Sequence, residues 1–319
     1  VINTFARHNN NSHQNRRRRG NGKSNSKSNS NVGGDYESAM KVFKMQMNDY
    51  KNNHNRSAKP NLRTFNTMIN VVSKSIPPAP ATTTPHPDNA AAVRDERPEL
   101  AERLLAAIND WYQREELEEG PNTITYNSVI NCWNKASSSS QQRNRPRSEA
   151  PQRVLELLLT MIANYQESKS TAAPTARPDL ITYHSILNTM SQQGDVKGAE
   201  TVLRIMKEDY QSGNQQAKPT VTTYTILINT LSKSTNSNNS NKGKDNTDSS
   251  SDNAAAPMQA ELVLMEMIEL YEQGILLESP NTIVYSSVIN CWSKSNRPEA
   301  PQRCFDILQT MMSKYQEDQ

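Results

Sequence analysis

Five short stretches of this 319-residue chain place a polar side chain directly after an aromatic one: Phe65-Asn66, Tyr126-Asn127, Tyr183-His184, Tyr224-Thr225 and Tyr285-Ser286. Four residues later each stretch has an asparagine (Asn70, Asn131, Asn188, Asn229, Asn290), and four beyond that come Lys74, Lys135, Gln192, Lys233 and Lys294. Three residues before the polar one stand Arg63, Ile124, Ile181, Thr222 and Ile283. Spacings of 3, 4 and 4 residues put all four positions on one stripe of a helix. The residue after the aromatic varies among types that hydrogen-bond, whereas the asparagine never varies. A position that reads a partner should change with what is read, and a structural position should keep one residue. The chemistry is therefore recognition by hydrogen bonding, with a cation in most copies suited to a phosphate. The constant asparagine reads as structural, an amide that bonds between neighbouring copies and sets their spacing.

The elements that must position this stripe repeat with it. Pro121-Asn122-Thr123-Ile124-Thr125-Tyr126-Asn127-Ser128-Val129-Ile130-Asn131-Cys132-Trp133 returns almost unchanged from Pro280 to Trp292, and a sixth, shorter copy begins at Val1-Ile2-Asn3. The opening prolines, Pro60, Pro121, Pro178, Pro219 and Pro280, are 61, 57, 41 and 61 residues apart. The period is irregular because stretches rich in Asn, Ser, Thr, Ala and Pro interrupt the copies at an equivalent place, roughly 8–32, 76–96, 137–148 and 235–256. Such compositions bury too little apolar surface to fold and read as disordered, and loop closure grows costly only slowly with length.

Each copy predicts two helices. Tyr126, Ile130 and Trp133 form one apolar face of a first helix, and Val154, Leu155, Leu158, Met161, Ile162 and Tyr165 form that of a second. Pro98, Pro151, Pro257 and Pro301 stand where second helices should start, a position that tolerates proline. A single pair of amphipathic helices cannot bury its own core, but stacked pairs can. The expected fold is all-α, with a partial repeat and insert over 1–61, repeats over 62–122, 123–179, 180–220 and 221–281, and a partial repeat over 282–319. The chain reads as beginning inside a first helix and as a segment of a longer array.

Composition narrows the function classes. Net charge is +3, with Arg16–Arg19 clustered inside the first insert. That cluster reads as solvated, with contact to a nucleic-acid backbone as the alternative. Of three cysteines, Cys132 and Cys291 occupy equivalent places beside Trp133 and Trp292, which indicates core packing. There is no CxxC or HxxxH spacing to hold zinc, no H-x-E with CxxC and no acidic metal cluster, so neither a metal, a cofactor nor an enzyme is expected. No apolar run is long enough to span a membrane.

The recurring block resembles the pentatricopeptide repeat family. It runs from a proline and a polar residue through Thr or Val and an aromatic to a hydrophobic pair and Asn. A second helix such as Gly194-Asp195-Val196-Lys197-Gly198-Ala199-Glu200 follows it. The resemblance implies a right-handed α-solenoid of helix-turn-helix repeats that binds single-stranded RNA, one base per repeat. It implies that the residue after the aromatic reads the base together with the last residue of its unit: Asn66 with Asn122, Asn127 with Asp179, His184 with Thr220, Thr225 with Asn281, and Ser286 with a partner beyond Gln319. By the family's code these pairs imply a pyrimidine favouring C, then U, an open position, A, and a purine, 5′-Y-U-N-A-R-3′. Ile124, Ile181 and Ile283 take the place that sandwiches bases, from which Arg63 and Thr222 depart. Lys74, Lys135, Lys233 and Lys294 would meet phosphates. The resemblance further implies a mitochondrial or plastid protein acting in RNA processing, stability or translation, with room for protein partners of an RNA-processing complex. A protein-binding scaffold of tetratricopeptide type shares the two-helix unit, but its W-x₂-L-G-x₂-Y signature is absent.

Overall fold

A computed structural model describes residues 34–75, 95–138, 149–168, 176–237 and 255–317. The copy at Val1–Arg7, the Arg16–Arg19 cluster and most of the four low-complexity stretches lie outside the described residues. The described residues contain eleven α-helices and no strand, an all-α helical repeat fold. First helices are α2 (Leu62–Lys74), α4 (Thr123–Ser137), α6 (Leu180–Gln193), α8 (Val221–Ser237) and α10 (Thr282–Ser293). Second helices are α1 (Gly34–Lys51), α3 (Arg97–Gln113), α5 (Glu149–Ser168), α7 (Val196–Gln211), α9 (Ala256–Glu272) and α11 (Ala300–Glu317). Helix α4 ends at Ser137 and α8 at Ser237, so each runs slightly into a stretch read as insert.

The starts of the first helices follow from their sequence. Asn61, Asn122 and Asp179 each accept a hydrogen bond from the backbone N–H of the threonine three residues on, Thr64, Thr125 or Thr182, at 2.8–3.0 Å. That threonine's hydroxyl accepts the cap's own N–H in return. Two of the helix's four unsatisfied donors are thereby met, worth about 1 kcal/mol per cap. At α8 the Thr220 N–H donates to Thr223 Oγ1 at 3.0 Å. At α10 Val284 replaces the threonine, and Asn281 accepts the N–H groups of Ile283 and Val284 alone. Among the second helices, proline opens the first turn of α3 and α9, at Pro98 and Pro257, as expected from its missing N–H.

The turn from α6 to α7 is the tightest between the two helices of a pair. Gly194 adopts φ +71°, and the N–H groups of Gly194 and Asp195 return to Ser191 O and Met190 O, the left-handed stop that glycine allows without Cβ strain. Gly198 has no room for a side chain, because an added Cβ would lie 2.8 Å from Met190 Sδ and collide with the Asp195 carboxylate that caps α7.

The described residues fall into two compact units, one within Val1–Pro146 and Glu156–Arg177, the other within Arg147–Leu155 and Pro178–Gln319. In the first, α2 packs against α1, α3 and α4, and α3 against α4. Phe65 sits edge-on to Phe43 and Trp111, with ring centroids 5.5 and 5.6 Å apart. Arg97 joins the two sides of the stretch at 76–94. Its guanidinium pairs with Asp95 at 2.6 Å and donates to Ser75 O, so the end of α2 and the start of α3 are tied together there. In the second unit, α8 packs against α6, α7, α9 and α10, and α10 against α9 and α11.

The aromatic preceding each variable residue is core in both units: Phe65, Tyr126, Tyr183, Tyr224 and Tyr285 are all buried. For Tyr126, Tyr183 and Tyr224 the hydroxyl meets the second helix of the same repeat. Asn164 donates to Tyr126 Oη at 2.9 Å, and Tyr183 Oη donates to Asp209 at 3.0 Å. Each first helix is thereby fixed in rotation, which decides where the next residue points.

Candidate functional site

With the aromatic turned inward, the residue after it lies half-buried at the edge of the helix in four repeats: Asn66, Asn127, His184 and Thr225. Ser286 is exposed. Their expected partners Asn122, Asp179, Thr220 and Asn281 lie at the starts of α4, α6, α8 and α10, where Asn122, Asp179 and Asn281 are side-chain caps. The capping role fixes their backbones in the extended conformation.

Within the first unit the expected pair Asn66 and Asn122 comes together. Both line an open cleft of ≈ 500 Å³ between α2 and α4, along with Arg63, Asn70 and Ile124. The connection runs through a residue the sequence reading passed over. Thr125 Oγ1 donates to Asn66 Oδ1 at 2.7 Å and lies 3.0 Å from Asn122 Oδ1. In the second unit Thr223 Oγ1 lies 2.9 Å from His184 Nε2 and 3.3 Å from Thr220 Oγ1. Burial pushes the His184 pKa below the ordinary value, favouring the neutral ring. Thr225 and Asn281 lack this bridge: Val284 has no hydroxyl, and Thr225 Oγ1 turns back to Val221 O in its own helix.

The positions three residues earlier face outward. Ile124, Ile181 and Ile283 are 66%, 64% and 64% exposed, and Arg63 and Thr222 are exposed too. An isoleucine on the surface is unremarkable once; here Ile124 lines the polar cleft as an apolar wall, and Ile181 and Ile283 hold the equivalent position, exposed to the same degree.

In two copies the constant asparagine bonds between repeats. Asn131 Nδ2 donates to Ser73 Oγ at 3.1 Å, and Asn290 Nδ2 to Ser232 Oγ at 3.0 Å. The lysines expected to meet phosphate share these acceptors. Lys135 Nζ donates to Ser73 O at 2.9 Å and to its hydroxyl at 3.3 Å, Lys294 Nζ reaches Ser232 Oγ at 3.2 Å, and Lys233 Nζ reaches Ser191 Oγ at 3.5 Å. An ammonium has three donors, so Lys135 keeps one for an outside acceptor. Burial lowers the pKa of Lys135 and of Lys74. The acceptor serines were legible in the sequence, three residues after the constant asparagine, as was the threonine one before the aromatic. Both recur, the threonine within the repeated block itself, but their spacing does not show which residue of the neighbouring repeat each one meets.

Cys132 and Cys291 are buried, and burial pushes both thiols up to about 12, which fits core packing. Among the described residues no group of His, Cys, Asp and Glu could hold a metal, and no helix is long and apolar enough to cross a membrane.

Residues 174–234, spanning α6 to most of α8, match the pentatricopeptide repeat domain. The match covers 61 of the 319 residues. The other repeats share its capped first helix, its inward aromatic and its constant asparagine. No curated protein matches the chain. Two solved structures are similar to it, the pentatricopeptide repeat protein PPR10 in complex with an 18-nt psaJ RNA element and a triple cysteine-to-serine variant of that protein in the same complex. Each is 16% identical with a TM-score of 0.32, over 90% of this chain and 38% of the other. The chain thus spans well under half the length of those proteins.

Proposed function

We propose that the pentatricopeptide repeats of this chain bind single-stranded RNA, one base per repeat, without catalysing a reaction. The observation that carries the reading is the cleft between α2 and α4. There two amides, Asn66 and Asn122, face one opening beside Arg63 and the exposed Ile124. Paired polar side chains can read the edge of an unstacked base, and flat apolar or cationic neighbours can pack on its faces. The second unit offers His184 with Thr220 and Thr225 with Asn281 for two further bases, with Ile181 and Ile283 as walls. Lys74, Lys135, Lys233 and Lys294 supply cations toward the backbone, Lys233 most readily because it is exposed. RNA is also what the solved pentatricopeptide protein holds in its crystals. By the family's usual setting the protein acts in RNA processing, stability or translation in a mitochondrion or plastid.

The test is fluorescence anisotropy with the whole chain on labelled RNA carrying CUNAR, a scrambled RNA, the matching DNA and a duplex. Tighter binding of the CUNAR RNA supports the reading. Equal affinity for RNA and DNA of any sequence, or no binding at low salt, sinks it and favours a protein-binding scaffold.

A further inference from the structure

We infer that the third residue of a first helix is a positioning residue for base selection by the preceding repeat, and that Thr125 holds both amides of the Asn66–Asn122 pair as donors, which gives a physical cause for the cytosine preference that the family resemblance implies. The inference rests on the proposed RNA binding and goes beyond it, because it assigns a third residue to each reading pair and a donor–acceptor polarity to one of them.

The polarity follows from counting hydrogens. Thr125 Oγ1 has one hydrogen and accepts the Asn122 N–H at 3.2 Å. Its proton can go to Asn66 Oδ1 at 2.7 Å or to Asn122 Oδ1 at 3.0 Å. Asn122 Oδ1 already accepts the Thr125 N–H at 3.0 Å, so the shorter bond to Asn66 leaves every group satisfied. The Asn66 carbonyl is then committed to Thr125 and the Asn122 carbonyl to the start of α4. What each amide has left is its NH₂ group, and both residues line the same cleft. An asparagine free to rotate could offer either a donor or an acceptor; here both are held as donors. On the pairing edge of a base, two adjacent acceptors, N3 and O2, occur in cytosine. Uracil interposes an N–H between its carbonyls, adenine offers a single acceptor beside an amino group, and guanine a single acceptor beside two donors.

The arrangement recurs and has a built-in exception. Thr223 stands 2.9 Å from His184 Nε2 as Thr125 stands to Asn66, so the same device holds a different reader. At α10 the residue is Val284, and Thr225 bonds its own helix instead. Repeats of this chain therefore come with and without the bridge, and α10 still forms with its cap accepting two backbone N–H groups.

The experiment compares wild type, Thr125→Val, Thr125→Ser and Val284→Thr. Each full chain is titrated with RNAs that differ only in the base facing Asn66 and Asn122. In parallel, nitrogen-15 spectra follow the order of the Asn66 side-chain amide, assigned with Asn66→Asp. Thr125→Val should cut the preference for cytosine at that base by about three- to tenfold, the range for losing one hydrogen bond. Preferences at the other bases should not change, and the Asn66 amide should become mobile. Thr125→Ser should restore both, and Val284→Thr should sharpen the preference at the base facing Thr225. An unchanged base ratio with an unchanged Asn66 amide in Thr125→Val overturns the inference. If wild type binds no RNA, the proposed function fails by itself, and the amide spectra still decide the positioning: an amide equally ordered without the hydroxyl overturns it.

Discussion

The side-chain amide of Asn131 lies 3.1 Å from the hydroxyl of Ser73, 58 residues earlier in the chain, and Asn290 repeats the contact with Ser232 at 3.0 Å. Both serines are buried. The bond therefore joins one first helix to the next in place of water, and it registers neighbouring repeats. Removing Asn131 leaves the Ser73 hydroxyl with Lys135 Nζ at 3.3 Å, so the loss is that of one hydrogen bond, about 0.5–1.5 kcal/mol, and removing both partners is milder. Asn131→Leu should lower the urea midpoint clearly, and adding Ser73→Ala should recover part of the loss. A double mutant whose loss is the simple sum of the two single losses would show that the contact contributes nothing.

The lysines on the same stripe divide into two kinds. Lys135 is held by Ser73 O and Ser73 Oγ, while Lys233 is exposed and, among the described residues, hydrogen-bonds only to Ser191 Oγ, at 3.5 Å. Lys233→Ala should leave melting nearly unchanged and reduce the salt slope of RNA binding by about one. Lys135→Ala should lower the melting temperature and weaken all RNAs together. Identical profiles for the two variants would mean that the inter-repeat contacts do not distinguish them.

Much of this fold was written in the recurrences. Prolines at the helix starts, the aromatic of each first helix and the cysteine beside tryptophan all lie where their types and spacing put them, because burial of a repeated face depends on the local pattern alone. The second layer was less legible. Thr125 and Ser73 are small and polar and fit any helix, and their importance comes from which neighbour they meet 58 or 59 residues away. Sequence spacing inside one copy carries no trace of that. The lysines illustrate the same limit: a cation on a polar stripe reads as free, and only the packing of the next repeat shows where its hydrogens point.

His184 makes stability depend on pH. Burial lowers its folded pKa from the ordinary 6.5, so the unfolded chain binds this proton more readily. Its contribution is fully present above about pH 6.5 and is lost as pH falls through the folded value. Denaturation between pH 8 and pH 5 should show stability falling below the ordinary histidine range, and His184→Gln should flatten that part of the curve. A slope unchanged by His184→Gln would place the proton uptake elsewhere.

The two equivalent tryptophans carry the last prediction. The Trp133 indole N–H donates to Glu102 at 2.8 Å. Trp292 has the same spacing to Glu261, yet its buried Nε1 has no partner among the described residues. Glu261 instead pairs with Arg303 at 3.4 Å, the arginine side chain being half exposed. Such a surface pair is worth about 0–1 kcal/mol, against about 1–3 kcal/mol for a buried donor left unmet. Glu102→Ala should therefore cost more stability than Glu261→Ala. Arg303→Ala should free Glu261 to turn to Trp292, protecting that indole hydrogen from exchange without loss of stability. An indole hydrogen that exchanges as fast in Arg303→Ala as in wild type would show that the carboxylate does not make the turn, and that Trp292 sits unpaired for a reason of packing rather than of competition.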